Sequence, residues 1–301
     1  MRSFYSHGKL LLTGEYLVLD GATALALPTK LGQQLTVSKT TGKTLHWQSI
    51  LHDGSVWFET EITTPLKKQT HKDSIINRLY EILLAAQVLN PTFLQETQGY
   101  KVVSTLEFPR NWGLGSSSTL IVNIAQWASI NPYELLEKTF GGSGYDIACA
   151  TTETPITYIR ASNTPTVNTI VFNPSFKEQL FFIHLNRKQN SRDSITHYRN
   201  LPIKEIEKHV ATISSITEAL ITAQNNLPLF EELVFEHESL LSEIIQTKTI
   251  KEQFFPDYTR GIKSLGGWGG DFILAIGTIE DMSYFKEKGY MTIIPFSDMI
   301  L

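Results

Sequence analysis

The sequence predicts an α+β protein built as two lobes, and three observations carry that expectation. Short apolar runs bounded by turn residues recur along the chain, which is the signature of strands. Long segments with apolar residues at three- and four-residue spacing lie between them, which is the signature of helices. The two kinds mix without the regular strand–helix alternation of a parallel sheet. A polar stretch at 160–177 supplies the joint, so the division expected is 1–165 and 166–301.

The elements follow in order. Leu10–Leu12 and Tyr16–Leu19 read as strand material separated by Thr13-Gly14-Glu15, and Asp20-Gly21 is a hairpin-type turn pair. Ala22 to Leu27 continues the apolar theme and is expected to stop at Pro28. Strands are expected at 33–38 and 44–50, and a helix over 74–89 closed by Asn90-Pro91. A strand at 100–107 leads to a glycine-bearing loop, Asn111 to Gly115, and a helix begins at Ser116. Asn131-Pro132 starts a second, shorter helix over 132–139, since proline fits the first helical position. Beyond the small-residue loop Gly141–Gly144 come a buried strand at 179–185, amphipathic helices at 204–224 and 229–247, and strands at Phe272–Ile276 and Met291–Pro295.

Composition narrows the function classes. The 301 residues are 42% hydrophobic and 19% charged, which excludes disorder as the dominant state. Lysines and arginines number 26 against 30 acidic residues, a net charge of −4 without the basic excess of a nucleic-acid binder. The single cysteine, Cys149, excludes an intramolecular disulfide and a cysteine-based zinc site. No apolar run reaches the length of a membrane span, and Gly14 and Glu15 interrupt the only leader-like stretch. The expectation is a reduced, cytoplasmic chain, monomeric or homodimeric.

Three small-residue segments carry the chemistry. In Pro109-Arg110-Asn111-Trp112-Gly113-Leu114-Gly115-Ser116-Ser117-Ser118-Thr119, two glycines let the backbone approach a ligand and a helix starts at once. A helix N-terminus has unpaired N–H donors and a partial positive charge, both suited to phosphate. A serine there can also ligate Mg²⁺. By itself the segment is equally a glycine turn with a serine cap, and it lacks the lysine of the G-x-x-x-x-G-K-[ST] loop. The cluster Gly266-Gly267-Trp268-Gly269-Gly270-Asp271 is costly in chain entropy and suits close backbone approach, or else a tight turn. In Gly141-Gly142-Ser143-Gly144-Tyr145-Asp146, the carboxylate is either a general base or a helix cap.

Together with Lys9-Leu10-Leu11-Leu12-Thr13-Gly14-Glu15-Tyr16, these segments resemble, in order, the motifs of the GHMP kinase superfamily. The string Gly144-Tyr145-Asp146-Ile147-Ala148 is similar to a bacterial subgroup named for it, and Gly14-Glu15-Tyr16 with Gly270-Asp271 resembles the phosphomevalonate kinase branch, which implies a mevalonate-pathway kinase. The resemblance implies a GHMP kinase fold: an N-terminal ATP-binding lobe like ribosomal protein S5 domain 2 and a C-terminal ferredoxin-like lobe. It implies an ATP- and Mg²⁺-dependent phosphotransferase acting on a small acidic substrate. Asp146 would be the base and Lys9 its partner; Gly113, Leu114, Gly115, Ser116, Ser117 and Ser118 would hold the ATP phosphates. Ser117 would also ligate Mg²⁺. Glu15, Gly266, Gly267 and Gly269 would shape the substrate side, with Lys188 and Arg192 binding its acidic group.

Two departures stand out. The family's magnesium glutamate aligns with Leu135, leaving Glu137 or Glu134 to turn inward in its place. Trp268 stands where the third motif keeps a small residue, narrowing the pocket or capping the loop. Other GHMP reactions on homoserine, sugars or diphosphomevalonate, and an ATP-binding sensor without turnover, are the alternatives.

Overall fold

The computed structural model describes residues 1–67, 73–95, 98–161, 164–189 and 191–301. Packing divides the chain into two compact units that interleave in sequence: residues 1–8, 31–110 and 114–151, and residues 9–30, 111–113 and 152–301. Two long strands run through both, β1 (Arg2–Thr13) and its neighbour β2 (Ala24–Thr40). The division expected at 165/166 follows chain order, whereas the compact units exchange Lys9–Lys30 and Asn111–Gly113.

In the first unit, residues 33–40 of β2 pair antiparallel with β5. This sheet holds β3 (Thr44–Ile50), β4 (Val56–Thr63) and β5 (Gly99–Leu106), in the order β4-β3-β5-β2. Against it lie α1 (Ser74–Leu89), α2 (Ser116–Ala128), α3 (Pro132–Thr139) and α4 (Tyr145–Ala150). The α1 start is set by Asp73, whose side chain accepts from the Ile75 and Ile76 N–H groups. Asn131 does the same for α3, with Pro132 at the first helical position. Leu79, Ile82, Leu83 and Ala86 of α1 and Ile121, Val122 and Ile124 of α2 bury the apolar faces that their spacing forecast.

A polar layer fixes α2 on the sheet. The Asn123 side chain donates to the Gln33 carbonyl at 2.9 Å and accepts from the Ser6 hydroxyl at 2.9 Å. Thr119 donates to the Gln33 side-chain oxygen at 2.5 Å, and that amide donates to Ser104 at 2.7 Å. All are buried, so each group needs the partner it has.

In the second unit, β6 (Ile156–Ile159) pairs with residues 24–26 of β2 and with β7 (Thr166–Thr169). Beyond them come β8 (Leu180–His184), α5 (Ser191–Arg199), α6 (Ile206–Thr222), α7 (Leu227–Ile245), α8 (Ile250–Phe254), β9 (Ile262–Ser264), β10 (Phe272–Ile276), α9 (Ser283–Glu287), β11 (Ile293–Pro295) and α10 (Phe296–Met299). The four strands β8–β11 form an antiparallel sheet in the order β11-β8-β10-β9. Helices fall between its first and second and between its third and fourth strands in chain order, which is the ferredoxin-like βαββαβ arrangement expected.

Three expectations are corrected. Tyr16–Leu19 is not a strand: Leu17–Asp20 is a short 3-10 helix, because Gly14 (φ 89) and Tyr16 (φ 62) turn the chain out of extended geometry. Pro28 does not end a strand. It sits between the part of β2 paired to β6 and the part paired to β5, where a missing N–H interrupts neither ladder. The polar 160–177 stretch contains β7, whose residues are all exposed, so composition alone hid an edge strand.

Candidate active site

In the first unit, the α2 start is reached through Gly115, left-handed at φ 88. The Ser118 hydroxyl turns back to the Gly115 carbonyl at 2.8 Å and is buried. Ser118 is therefore a local brace, and only its backbone is available for phosphate. Ser116 is half-buried and Ser117 exposed. Both line a cavity of about 250 Å³ whose other walls include Trp57, Arg110, Ser49, Ser104 and Phe140. The Arg110 guanidinium lies over the Trp57 ring, 3.6 Å from its centroid. A flat aromatic wall, a cation and several hydroxyls beside a helix N-terminus suit a nucleotide: a base on the wall, phosphate on the N–H groups.

Asp146 lies in the first turn of α4, after Gly144 in left-handed geometry (φ 86). It is half-buried, and its Oδ1 accepts from the Ile147 N–H at 3.1 Å. The residue preceding α4 is Gly144, so Asp146 is not the cap that its neighbourhood alone allowed. Its negative charge, after burial, helps push the Tyr133 hydroxyl up to about 12.

Leu135 is fully buried while Glu134 and Glu137 are exposed on α3. The α3 helix packs its apolar residues, Leu135 and Leu136, inward and leaves Glu137, expected to turn inward, on the exposed side. Among the described residues no group of three His, Cys, Asp or Glu side chains is arranged to hold a metal.

The second unit gathers residues from three of the motifs. The Lys9 ammonium donates to the Gly113 carbonyl at 3.0 Å. Gly113 (φ 67) packs so tightly on Asp271 that a Cβ there would come within 2.3 Å of the carboxyl carbon. Asp271, itself at φ 54, accepts from the Gln189 N–H at 3.2 Å. Burial raises its carboxyl above the usual range, opposed by that N–H and by the charges of Lys9, His184 and Lys188. Trp112 stands edge-on to Phe272 at 5.3 Å, and His184 Nε2 lies 3.1 Å from the Asn111 carbonyl.

The glycine cluster follows β9. A Cβ at Gly267 would meet the Ser194 hydroxyl at 2.8 Å, and one at Gly270 the Gln189 backbone nitrogen at 2.8 Å. Glycine is required there because another segment passes against the loop. Gly266 and Gly269 are left-handed, at φ 59 and φ 96, and a Cβ at Gly266 would meet nothing. Trp268, left-handed at φ 45, turns into the core beside Leu17, Tyr198 and Leu241. It caps the loop from within. Tyr16, whose hydroxyl burial pushes up to about 12, donates to the Gly267 carbonyl at 2.9 Å.

Lys188 is exposed; the side chain of Arg192 lies outside the described residues. Glu15 is buried, with its carboxylate against Lys263 rather than on a surface. Sequence reasoning missed Lys263, Glu238, His237, Trp57 and Arg110. The first three stand in apolar helix and strand patterns, with no local signal that they would meet.

No family model matches the chain, and no curated protein does. Solved structures match it along nearly its whole length. A protein of Listeria innocua superposes with a TM-score of 0.73 at 16% identity, covering 98% of this chain and 97% of its own. Phosphomevalonate kinase of Streptococcus pneumoniae, solved in complex with phosphomevalonate and AMPPNP, gives 0.71 at 14% identity over 97% and 99%. Mevalonate kinase of Methanococcus jannaschii gives 0.70 at 14% over 97% and 96%. Among the described residues no helix is long and apolar enough to cross a membrane. The fold of this chain is that of the GHMP kinases.

Proposed function

We propose that the protein is an ATP-dependent small-molecule kinase, and that its acceptor is an acidic metabolite of the mevalonate type. One observation carries the reading: the α2 N-terminus, opened by left-handed Gly115, faces Ser116 and Ser117 onto the cavity walled by Trp57 and Arg110. The four ordered motifs and the shared fold support it. Fold alone does not choose an acceptor. The acidic choice rests on the resemblance and on exposed Lys188, with Arg192 as its proposed companion. The site of action is the cytoplasm.

Phosphoryl transfer asks for positioning and charge neutralisation more than covalent chemistry. In this reading the base of ATP rests on the cavity wall, while the backbone of Gly113–Ser118 receives its phosphates. Asp146 takes the proton of the attacking acceptor oxygen, and Lys9 favours the anionic form of that oxygen. A bound Mg²⁺ would neutralise charge on the phosphate oxygens. The exposed Ser117 hydroxyl would hold it alongside phosphate and water, with Glu137 of α3 as the proposed carboxylate ligand. Gly266, Gly267 and Gly269 line the acceptor side by backbone. Glu15 supports that side from within the core.

The test is ADP release with Mg²⁺-ATP against mevalonate, phosphomevalonate, homoserine and galactose, with Asp146→Ala beside the natural chain. One acceptor should turn over, and the variant should lose about 10²–10⁴-fold in kcat while still binding ATP. ATP binding with no acceptor turned over would sink the kinase reading. Absence of ATP binding would sink the nucleotide site itself.

A further inference from the structure

Four ionisable side chains lie fully enclosed in the second unit, and the reaction described above uses none of them directly. Lys263 of β9 donates to Glu15 Oε1 at 2.5 Å and to the Ser264 carbonyl at 2.6 Å, and forms an ion pair with Glu238 of α7 at 3.0 Å. Ser264 donates to the second Glu238 oxygen at 2.5 Å. His237, next along α7, accepts from the Gly14 N–H at 3.2 Å, and the same nitrogen lies 3.4 Å from Glu15 Oε2. Glu15, Glu238, His237 and Lys263 are all 3% exposed or less.

A cluster of this kind is a poor way to stabilise a core. Ions removed from water are expensive, and well-packed apolar side chains of similar volume often do as well or better. What ions supply and methyl groups do not is direction. Here every bond joins the same places. Gly14 and Glu15 carry the turn that presents Tyr16, and Lys263 and Ser264 end β9 one residue before the glycine cluster. Tyr16 in turn donates to the Gly267 carbonyl within that cluster. The cluster thus fixes the roots of both segments on α7, and Tyr16 joins their tips.

We propose that Lys263 is a positioning residue for phosphoryl transfer: through Glu15 and Glu238 it sets the glycine loop 266–270 against the Tyr16 turn, giving the acceptor a rigid backbone seat. The proposal rests on the kinase reading for its consequence in turnover, but not for its structural content. It separates the acceptor side from the nucleotide side, because every residue of the cluster lies outside the α2 start and its cavity.

The experiment compares two variants by hydrogen exchange of the 264–271 amides and by steady-state kinetics. Lys263→Met alone strands two carboxylates. The variant combining Lys263→Met, Glu15→Gln and Glu238→Gln removes every formal charge from the trio and keeps its shape. The charge-free variant should fold and exchange those amides at least about tenfold faster. Its acceptor KM should rise about tenfold, while ATP affinity stays within about twofold. Unchanged exchange and unchanged KM would overturn the proposal. So would failure of the charge-free chain to fold, which would make the cluster a stability element only. If the natural chain turns over no acceptor, the kinase reading falls, and the exchange rates alone decide whether Lys263 sets the loop.

Discussion

At the scale of single residues, the tightest constraint is Gly113 against Asp271. A methyl group there would fall 2.3 Å from a carboxyl carbon, at a φ of 67 that side chains rarely adopt. Gly113→Ala should lower stability by about 1–3 kcal/mol, read from urea unfolding. Shortening the opposing side chain with Asp271→Gly in the same chain should restore part of that loss, since the clash is relieved while the strained φ at position 113 remains. Trp57 is the matching residue on the nucleotide side. Trp57→Ala removes the wall on which Arg110 stacks, and should weaken ATP binding about tenfold by calorimetry with little change in acceptor KM. Equal affinity in the variant would move the base out of that cavity.

At the scale of elements, α2 matters most because its N-terminus is the proposed phosphate seat and its position is set by buried hydrogen bonds. Asn123 satisfies both the Ser6 hydroxyl and the Gln33 carbonyl. Asn123→Ala would leave both without their partner and should cost about 2 kcal/mol, lowering the thermal midpoint and weakening ATP binding together. A variant as stable as the natural chain would show that water replaces the amide. The β2 strand teaches the complementary lesson. Its proline looks like a terminus in sequence, yet the strand continues because the hydrogen-bonding partner changes on either side of that residue.

At the scale of the whole molecule, the buried cluster ties stability to pH. Two carboxylates face one ammonium, with His237 kept neutral by burial that holds it well below its usual range. Burial first, and then the charge of Glu238, raises Glu15 to about 7 against the pull of Lys263. The folded chain therefore holds a proton that the unfolded chain has already released. Below the unfolded value of about 4.5 this group carries no penalty. As pH rises from there through about 7, the unfolded state is favoured increasingly, and beyond that the effect is constant. Urea midpoints measured from pH 5 to pH 8 should thus fall, and Glu15→Gln should flatten that fall. An equally steep fall in the variant would place the proton on another group.

The sequence by itself determined the strands and helices with strong periodicity, the loops that need glycine, and the order of four motifs that resemble those of the GHMP kinases. Those features are local: a spacing, a cap or a turn is written within a few residues of where it acts. The helix boundaries at Ser74–Leu89 and Pro132–Thr139 were legible for that reason, each with its own capping side chain. The tertiary structure alone decided the rest. Glu137 reads as able to turn inward until α3 packs its leucines there instead. Glu15 reads only as a residue of the first motif until Lys263, 248 positions away, meets it in the core. Trp268 reads as an obstruction until its ring turns into the apolar cluster below the loop. Each outcome depends on which distant side chains share a buried volume, and the free energy of burying a charge or a ring is settled only by the partners it finds there.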